Sequence, residues 1–320
     1  MGPVSLRQIQ EAAAVIRGVA VRTPLTACPW ATRAGPPTGL WLKPENRQPI
    51  GAFKLRGAHY AMSRIPEHQR AKGVITHSSG NHGQAVGYAA RALGIPATVV
   101  MPEGSVPLKV ERVRALGAEV VIVPAAERLA TTLRLATERG LSVIPPYDHP
   151  DVIAGQGTVG LEILDDLPDV DVVLAPVGGG GLISGIAVAV KALRPDIQVI
   201  GVEPELAADA RDSLRAGRLV PWRVEDRGRT IADGLRVSLS ELTLAHITAL
   251  VDDIVTVSDD EIRSAVVTLA RRADIVAEPS GAATTAAYLH RRAEIPAGKV
   301  AAVVSGGNID PALLRELLAG

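Results

Sequence analysis

Short β-branched runs, each followed by turn residues and then a helical pattern, recur along this chain and limit its folds more than any other feature. Val74-Ile75-Thr76 leads to Ser-Ser-Gly and a helix through Ala85, Ala89 and Leu93, stopped by Gly94 and Pro96. Residues 97–101 read as the next strand and 106–116 as the next helix, ended by Gly117. The pattern repeats at 120–123, 172–174, 199–202 and 300–304. Buried strands alternating with helices predict an α/β protein with mainly parallel sheets. Two helix starts carry capping boxes: Ser5 with Gln8, and Ser258 with Glu261 after a strand at 255–257. Residues 172–190 are almost wholly apolar, but Pro176 and four glycines interrupt them. A buried strand, a tight loop and a buried helix explain them better than a membrane span. With 320 residues, two lobes are the expectation.

The 34 basic and 34 acidic side chains cancel to a formal net charge of +0. Nucleic acid and anionic membrane both reward clustered positive charge, so neither is expected as the main partner. The opening Met-Gly-Pro-Val-Ser-Leu has no continuous apolar run, and Leu6 stands where a myristoylation motif needs Ser or Thr. The one cysteine, Cys28, excludes an internal disulfide framework and fits a reducing, cytoplasmic compartment. It reads as a small core or surface thiol rather than a nucleophile. With aromatics at 2%, the core has to be built from Ala, Val, Leu and Ile.

In open α/β sheets, ligands bind beyond the carboxyl ends of strands. Three glycine-rich turns fall there: Ser78-Ser79-Gly80-Asn81-His82-Gly83, residues 178–181, and Ser305-Gly306-Gly307-Asn308. Gly178, Gly179, Gly180 and Gly181 let backbone amides approach an anion; one phosphate is the economical reading and a structural turn the alternative. No Lys-Ser/Thr pair follows, which excludes a Walker A loop, and Glu203 only weakly matches the acidic residue of a dinucleotide fingerprint. The turn at 78–83 opens a helix whose positive end favours a carboxylate, with Ser78, Ser79 and Asn81 adding hydrogen bonds; a ligand-free N-cap is the alternative. His82 reads as a structural hydrogen-bonder rather than a proton carrier. The Ser305 hydroxyl suits a heterocyclic nitrogen, or else belongs to an ordinary Ser-Gly turn. Lys54 sits between Gly51 and Gly57 at an Ala-rich helix start. A lysine amine attacks carbonyls only once it loses its proton, which desolvation or a nearby cation promotes. An aldehyde cofactor is its obvious partner.

Six motifs together carry a resemblance. They are Gln48-Pro-Ile-Gly-Ala-Phe-Lys-Leu-Arg-Gly57, Ser78-Ser-Gly-Asn-His-Gly83, Val152-Ile-Ala-Gly-Gln-Gly-Thr158, the tetraglycine run, Glu278-Pro-Ser-Gly281 and Ser305-Gly-Gly-Asn308. In this order, across nearly the whole chain, they resemble the threonine dehydratase and serine racemase family of pyridoxal 5'-phosphate enzymes. The resemblance implies fold-type II, tryptophan synthase β-like, with two open twisted sheets flanked by helices. It implies that Lys54 carries the cofactor as a Schiff base and shuttles protons on one face of the substrate. Phe53 is implied beside the cofactor ring, Asn81 at its phenolic oxygen, the glycines at 178–181 on the phosphate and Ser305 at the pyridine nitrogen. Ser78, Ser79, Asn81 and His82 are implied around the substrate carboxylate. Glu203-Pro-Glu-Leu-Ala-Ala-Asp209 resembles the divalent-cation site of the racemase-like branch, with Glu203, the Ala207 carbonyl and Asp209 as ligands suited to Mg²⁺ or Ca²⁺; a solvated acidic loop is the alternative. Ala52 and Ile50 depart from the Ser and Thr that many members have, and Tyr147 lies near the stretch that lines the family's substrate pocket.

The expected function is therefore a dehydratase (ammonia-lyase) of β-hydroxy amino acids, taking L-threonine and L-serine to 2-oxobutyrate and pyruvate plus ammonia. The alternatives are an amino acid racemase, with Ser79 reprotonating the opposite face, or a dehydratase of 3-hydroxyaspartate or an aryl serine. A nicotinamide dehydrogenase would also use glycine turns but gives Lys54 no role, and a non-catalytic ligand-binding relative is a third class. Residues 1–66 with 148–320 are expected to form a large cofactor-binding domain, and 67–147 a small mobile one. A homodimer is the family expectation. The chain ends at Gly320, soon after Ser305, so feedback through an appended regulatory domain is not expected.

Overall fold

A computed structural model describes residues 3–32, 38–78, 80–105 and 107–319. Among them are ten strands: β1 Thr26–Ala27, β2 Gly39–Pro44, β3 Val74–His77, β4 Ala97–Pro102, β5 Glu119–Val123, β6 Ser142–Val143, β7 Val172–Pro176, β8 Gln198–Pro204, β9 Asp253–Val257 and β10 Lys299–Val304. Six form a sheet in the order β1-β2-β10-β7-β8-β9, parallel except for the edge pair β1–β2. The other four form a wholly parallel sheet, β5-β4-β3-β6. Helices flank both. The chain is α/β with two mainly parallel sheets.

The central strands of the larger sheet are apolar throughout because both of their faces are covered. Val172, Leu174, Val300 and Ala302 point into a core shared with Ile262, Val266, Ala283 and Tyr288, from the helices Asp259–Ala273 and Pro279–His290. Their neighbours Val173, Ala175, Ala301 and Val303 point the other way, toward Val159, Ile183 and Ile186 of the helices Pro150–Asp166 and Gly181–Leu193. The smaller sheet packs Val74, Val99 and Met101 against Ala85, Val86 and Ala89 of the helix Asn81–Leu93. The same core takes Leu55, Ala58 and Met62 from the helix Lys54–Ser63. That helix therefore lies between the two sheets' territories.

Both expected capping boxes are present, and a third joins Ser240 to Thr243. The apolar stretch at 172–190 is β7, a glycine turn and most of the helix Gly181–Leu193. No helix among the described residues is long and apolar enough to cross a membrane. Cys28 is buried, and burial pushes its thiol up to about 12, which leaves it protonated and inert.

Candidate active site

Strand order decides what meets at the centre of the larger sheet. β10 and β7 are neighbours, with Ala302 level with Leu174, so the turns that follow them emerge side by side. One turn begins at Val177 and leads through Gly178–Gly181; the other begins at Ser305. The end of β3 in the smaller sheet brings His77, Ser78, Asn81 and His82 to face them. Together these groups line a cavity of about 210 Å³, whose wall also holds Phe53 and Lys54. The structure thus gathers Phe53, Lys54, Ser78, Asn81, His82, the four glycines and Ser305 into one place. Ser79 lies outside the described residues.

Lys54 begins the helix Lys54–Ser63, and its Nζ donates to the Pro146 carbonyl at 2.7 Å. Burial alone brings its amine down to about 8, and no carboxylate among the described residues offsets that desolvation. The Phe53 ring centroid lies 4.9 Å from Nζ, and the Phe53 N–H donates to the Ser305 carbonyl at 3.1 Å. Two residues on, Arg56 anchors the helix from below. Its guanidinium donates to Glu45 at 2.8 Å, to Glu162 at 2.7 Å and to Thr158 Oγ1 at 3.1 Å, and it is fully buried. Lys43 completes this buried cluster by donating to Glu162 and to the Thr23 carbonyl. Gly57 lets the helix lie against Pro150–Asp166, since a Cβ there would meet the Val152 carbonyl at 2.6 Å.

At Gly180 the backbone takes φ +84°, and a Cβ would meet Leu239 at 2.8 Å, so only glycine fits. A Cβ on Gly179 would collide with the Tyr147 ring. The turn runs straight into the helix Gly181–Leu193, whose unsatisfied first-turn amides and positive dipole end make an anion cradle. Ser305 is buried at the end of β10 and lines the cavity. Ser78 Oγ accepts from the Gly80 N–H at 3.1 Å.

His82 has Nε2 at 2.9 Å from the Ile144 carbonyl, so that nitrogen carries the hydrogen and Nδ1 is an acceptor. Burial and the Lys54 charge bring the ring down to about 3, leaving it neutral. Asn81 donates from Nδ2 to Glu278 Oε1 at 2.6 Å. Glu278 is buried against the cavity, and burial followed by the Asp233 charge raises its carboxyl to about 7. Asp233 in turn pairs with Lys109 at 3.0 Å across the cavity mouth. Sequence reasoning assigned no role to Glu278, Lys109, Asp233 or His77. Glu278 stood inside a recognised motif, and its burial beside Asn81 is the signal that only the fold supplies.

The three residues compared with a cation site lie away from the cavity lining. Glu203, at the end of β8, is fully buried and accepts from the Ala210 and Arg211 N–H groups at 3.0 and 2.8 Å. Burial, with Asp209 adding its charge, raises Glu203 well above the usual carboxylate range, and burial raises Asp209 too. Ala207 ends the short turn Glu205–Ala207 and is buried beside them in sequence.

Residues 16–306 match the family model described as pyridoxal-phosphate dependent enzyme. The L-threonine ammonia-lyase of Thermotoga maritima is 41% identical, over 98% of this chain and 78% of that protein. The L-threo-3-hydroxyaspartate ammonia-lyase of Saccharomyces cerevisiae is 43% identical, over 88% of this chain and 86% of that one. Among solved structures, maize serine racemase superposes with a TM-score of 0.93 at 36% identity, covering 99% of this chain and 98% of its own.

Proposed function

Because the chain belongs to the family of pyridoxal-phosphate-dependent enzymes, we propose that it is an ammonia-lyase of β-hydroxy amino acids acting on L-threonine and L-serine. The observation that carries this reading is the buried, uncompensated amine of Lys54 facing a tetraglycine anion cradle across one cavity.

The residues fit the cofactor. A lysine amine at about 8 is partly unprotonated near neutral pH, which attack on an aldehyde requires. The glycine turn offers amides to a phosphate, and Ser305 offers a neutral hydroxyl to a ring nitrogen without forcing its protonation. Bound pyridoxal phosphate supplies an electron sink that makes the substrate α-proton acidic. Lys54, held by the Pro146 carbonyl, takes that proton, a contribution worth roughly 10²–10⁴-fold for a positioned base. Ser78 and the amides opening the helix Asn81–Leu93 receive the substrate carboxylate. His82 stays neutral and orients rather than donating a proton. Leu235 and Val237 line the cavity as apolar groups that exclude water.

A racemase is the second reading, supported by the similarity to maize serine racemase and by Ser79 in the Ser78-Ser79 pair. The yeast relative supports 3-hydroxyaspartate as a further substrate. Glu203, the Ala207 carbonyl and Asp209 belong to this reading as a candidate divalent-cation site, since two buried carboxylates and a carbonyl are the hard oxygen donors such an ion takes. The division into residues 67–147 and the remainder, a homodimer and a cytoplasmic location belong to the same reading.

The test is a panel of L-serine, L-threonine, 3-hydroxyaspartate and aryl serines, scored for 2-oxo acid and for D-enantiomer. Borohydride reduction should label Lys54. Absence of label, or full activity in Lys54→Ala, would rule the mechanism out. In EDTA, both the activity on the panel and the melting temperature of the protein should fall, restored by Mg²⁺ or Ca²⁺; no change in either would remove the cation assignment.

A further inference from the structure

Three side chains outside the reaction scheme, Arg112, Asn308 and Glu278, join Asn81 in a directed chain of hydrogen bonds that ends at the cavity. Arg112, on the helix Pro107–Ala115 of the smaller sheet, donates from a terminal nitrogen to Asn308 Oδ1 at 3.1 Å. A guanidinium can only donate, so this contact fixes which end of the Asn308 amide is oxygen. The Asn308 nitrogen then donates to the Ile50 carbonyl at 2.8 Å and to Asn81 Oδ1 at 2.7 Å, which commits both of its hydrogens. With its oxygen so occupied, Asn81 turns its nitrogen to Glu278 Oε1 at 2.6 Å. Asn81 keeps one further N–H, uncommitted among the described residues, on a side chain that lines the cavity.

The chain is polarised at both ends. Flipping Asn81 would set its oxygen against the Glu278 carboxylate and its nitrogen against the Asn308 nitrogen. Flipping both amides would set the Asn308 nitrogen against Arg112. Each error brings like against like, and at the buried Glu278 an unmade hydrogen bond costs about 1–3 kcal/mol. Neither Arg112 nor Asn308 touches the cavity lining, and the side chain that links them to it by hydrogen bonds is Asn81.

We propose that Arg112, Asn308 and Glu278 are positioning residues that hold the free N–H of Asn81 toward the phenolic oxygen of the bound cofactor. Arg112 thereby ties that donor to the placement of a helix from the smaller sheet. The proposal rests on the pyridoxal-phosphate reading and not on the choice of substrate.

The experiment reconstitutes apoprotein with pyridoxal phosphate and reads cofactor Kd together with the pH at which the bound cofactor's visible band titrates. Wild type, Asn81→Ala, Arg112→Met, Arg112→Lys, Asn308→Leu and the double variant Asn81→Ala/Arg112→Met are compared. Arg112→Met and Asn308→Leu should shift the band's titration in the same direction as Asn81→Ala and weaken binding by roughly 2- to 10-fold, the worth of one net hydrogen bond. Arg112→Lys keeps a donor and should restore most of the shift. In the Asn81→Ala background, Arg112→Met should add nothing. If Arg112→Met shifts the band equally with and without Asn81, or folds and leaves it unmoved, the proposal is wrong. A wild-type protein with no visible band would instead overturn the cofactor reading itself.

Discussion

At the scale of single residues, two buried ionisable groups face the same cavity and give opposite pH dependences. Lys54 titrates at about 8 in the fold against 10.5 in the open chain. Between those values the unfolded state binds more protons, so stability rises with pH through that window. Below it, holding the ammonium costs roughly 3 kcal/mol. Apoprotein carrying Lys54→Met should resist denaturant better at pH 7 and lose the rise between pH 8 and 10.5. Glu278 runs the other way, at about 7 in the fold against 4.5. Here the folded state binds more protons, so stability falls as pH climbs from 4.5 to 7. Glu278→Gln keeps an acceptor for Asn81 and should flatten that fall; an unchanged slope in urea melts at several pH values would show that Glu278 titrates normally. The difference in legibility between the two follows from chain distance. Lys54 could be read from its neighbours Gly51, Phe53 and Gly57. The role of Glu278 depends on Asn81, 197 residues away, and no local pattern carries that contact.

At the scale of elements, the helix Lys54–Ser63 is aimed by close packing against Pro150–Asp166. Gly57 and Gly155 face each other so closely that a Cβ on Gly155 would stand 2.6 Å from Gly57 Cα and 2.7 Å from the Arg56 carbonyl. Backbone cannot yield as a flexible side chain does, so Gly155→Ala should cost about 1–3 kcal/mol. It should also weaken cofactor binding, because the displaced element carries Lys54. Calorimetry and cofactor titration check both; a melting temperature equal to wild type would mean the two helices separate easily. The β-branched runs announced β3, β4, β7, β8, β9 and β10 because largely buried parallel strands are apolar on both faces, and they announced the exposed edge strand β5 by its valines and isoleucine alone. β2 escaped, since Gly-Leu-Trp-Leu-Lys-Pro places a lysine where a core strand should have none, and Glu162 and the Thr23 carbonyl, both distant in sequence, make Lys43 tolerable there. The Ser240 box escaped because threonine stands in for the usual Glu or Gln.

At the scale of the whole molecule, the cavity belongs to neither sheet alone. His77, Ser78, Asn81 and Lys109 reach it from the smaller sheet's elements, and Gly178–Gly181, Glu278 and Ser305 from the larger sheet's. Among the described residues, direct polar ties across this boundary include Asn81 with Glu278 and with Asn308, and the more exposed Lys109 with Asp233 and Arg112 with Asn308. Exposed pairs of this kind contribute about 0–1 kcal/mol. A cofactor whose phosphate rests on the glycine turn and whose ring meets Asn81 would join the two sets far more strongly, adding about 2.7 kcal/mol at a hundredfold excess over Kd. Hydrogen exchange on loading apoprotein should therefore slow together at residues 77–84 and 177–184, although these stretches follow strands of different sheets. β9 and the helix Asp259–Ala273 lie at and behind the far edge of the larger sheet and should change little. Protection gained at 177–184 alone would mean that the cofactor is held by the larger sheet without engaging Asn81. In that case, the bridging role of the cavity would fail while the phosphate cradle stood.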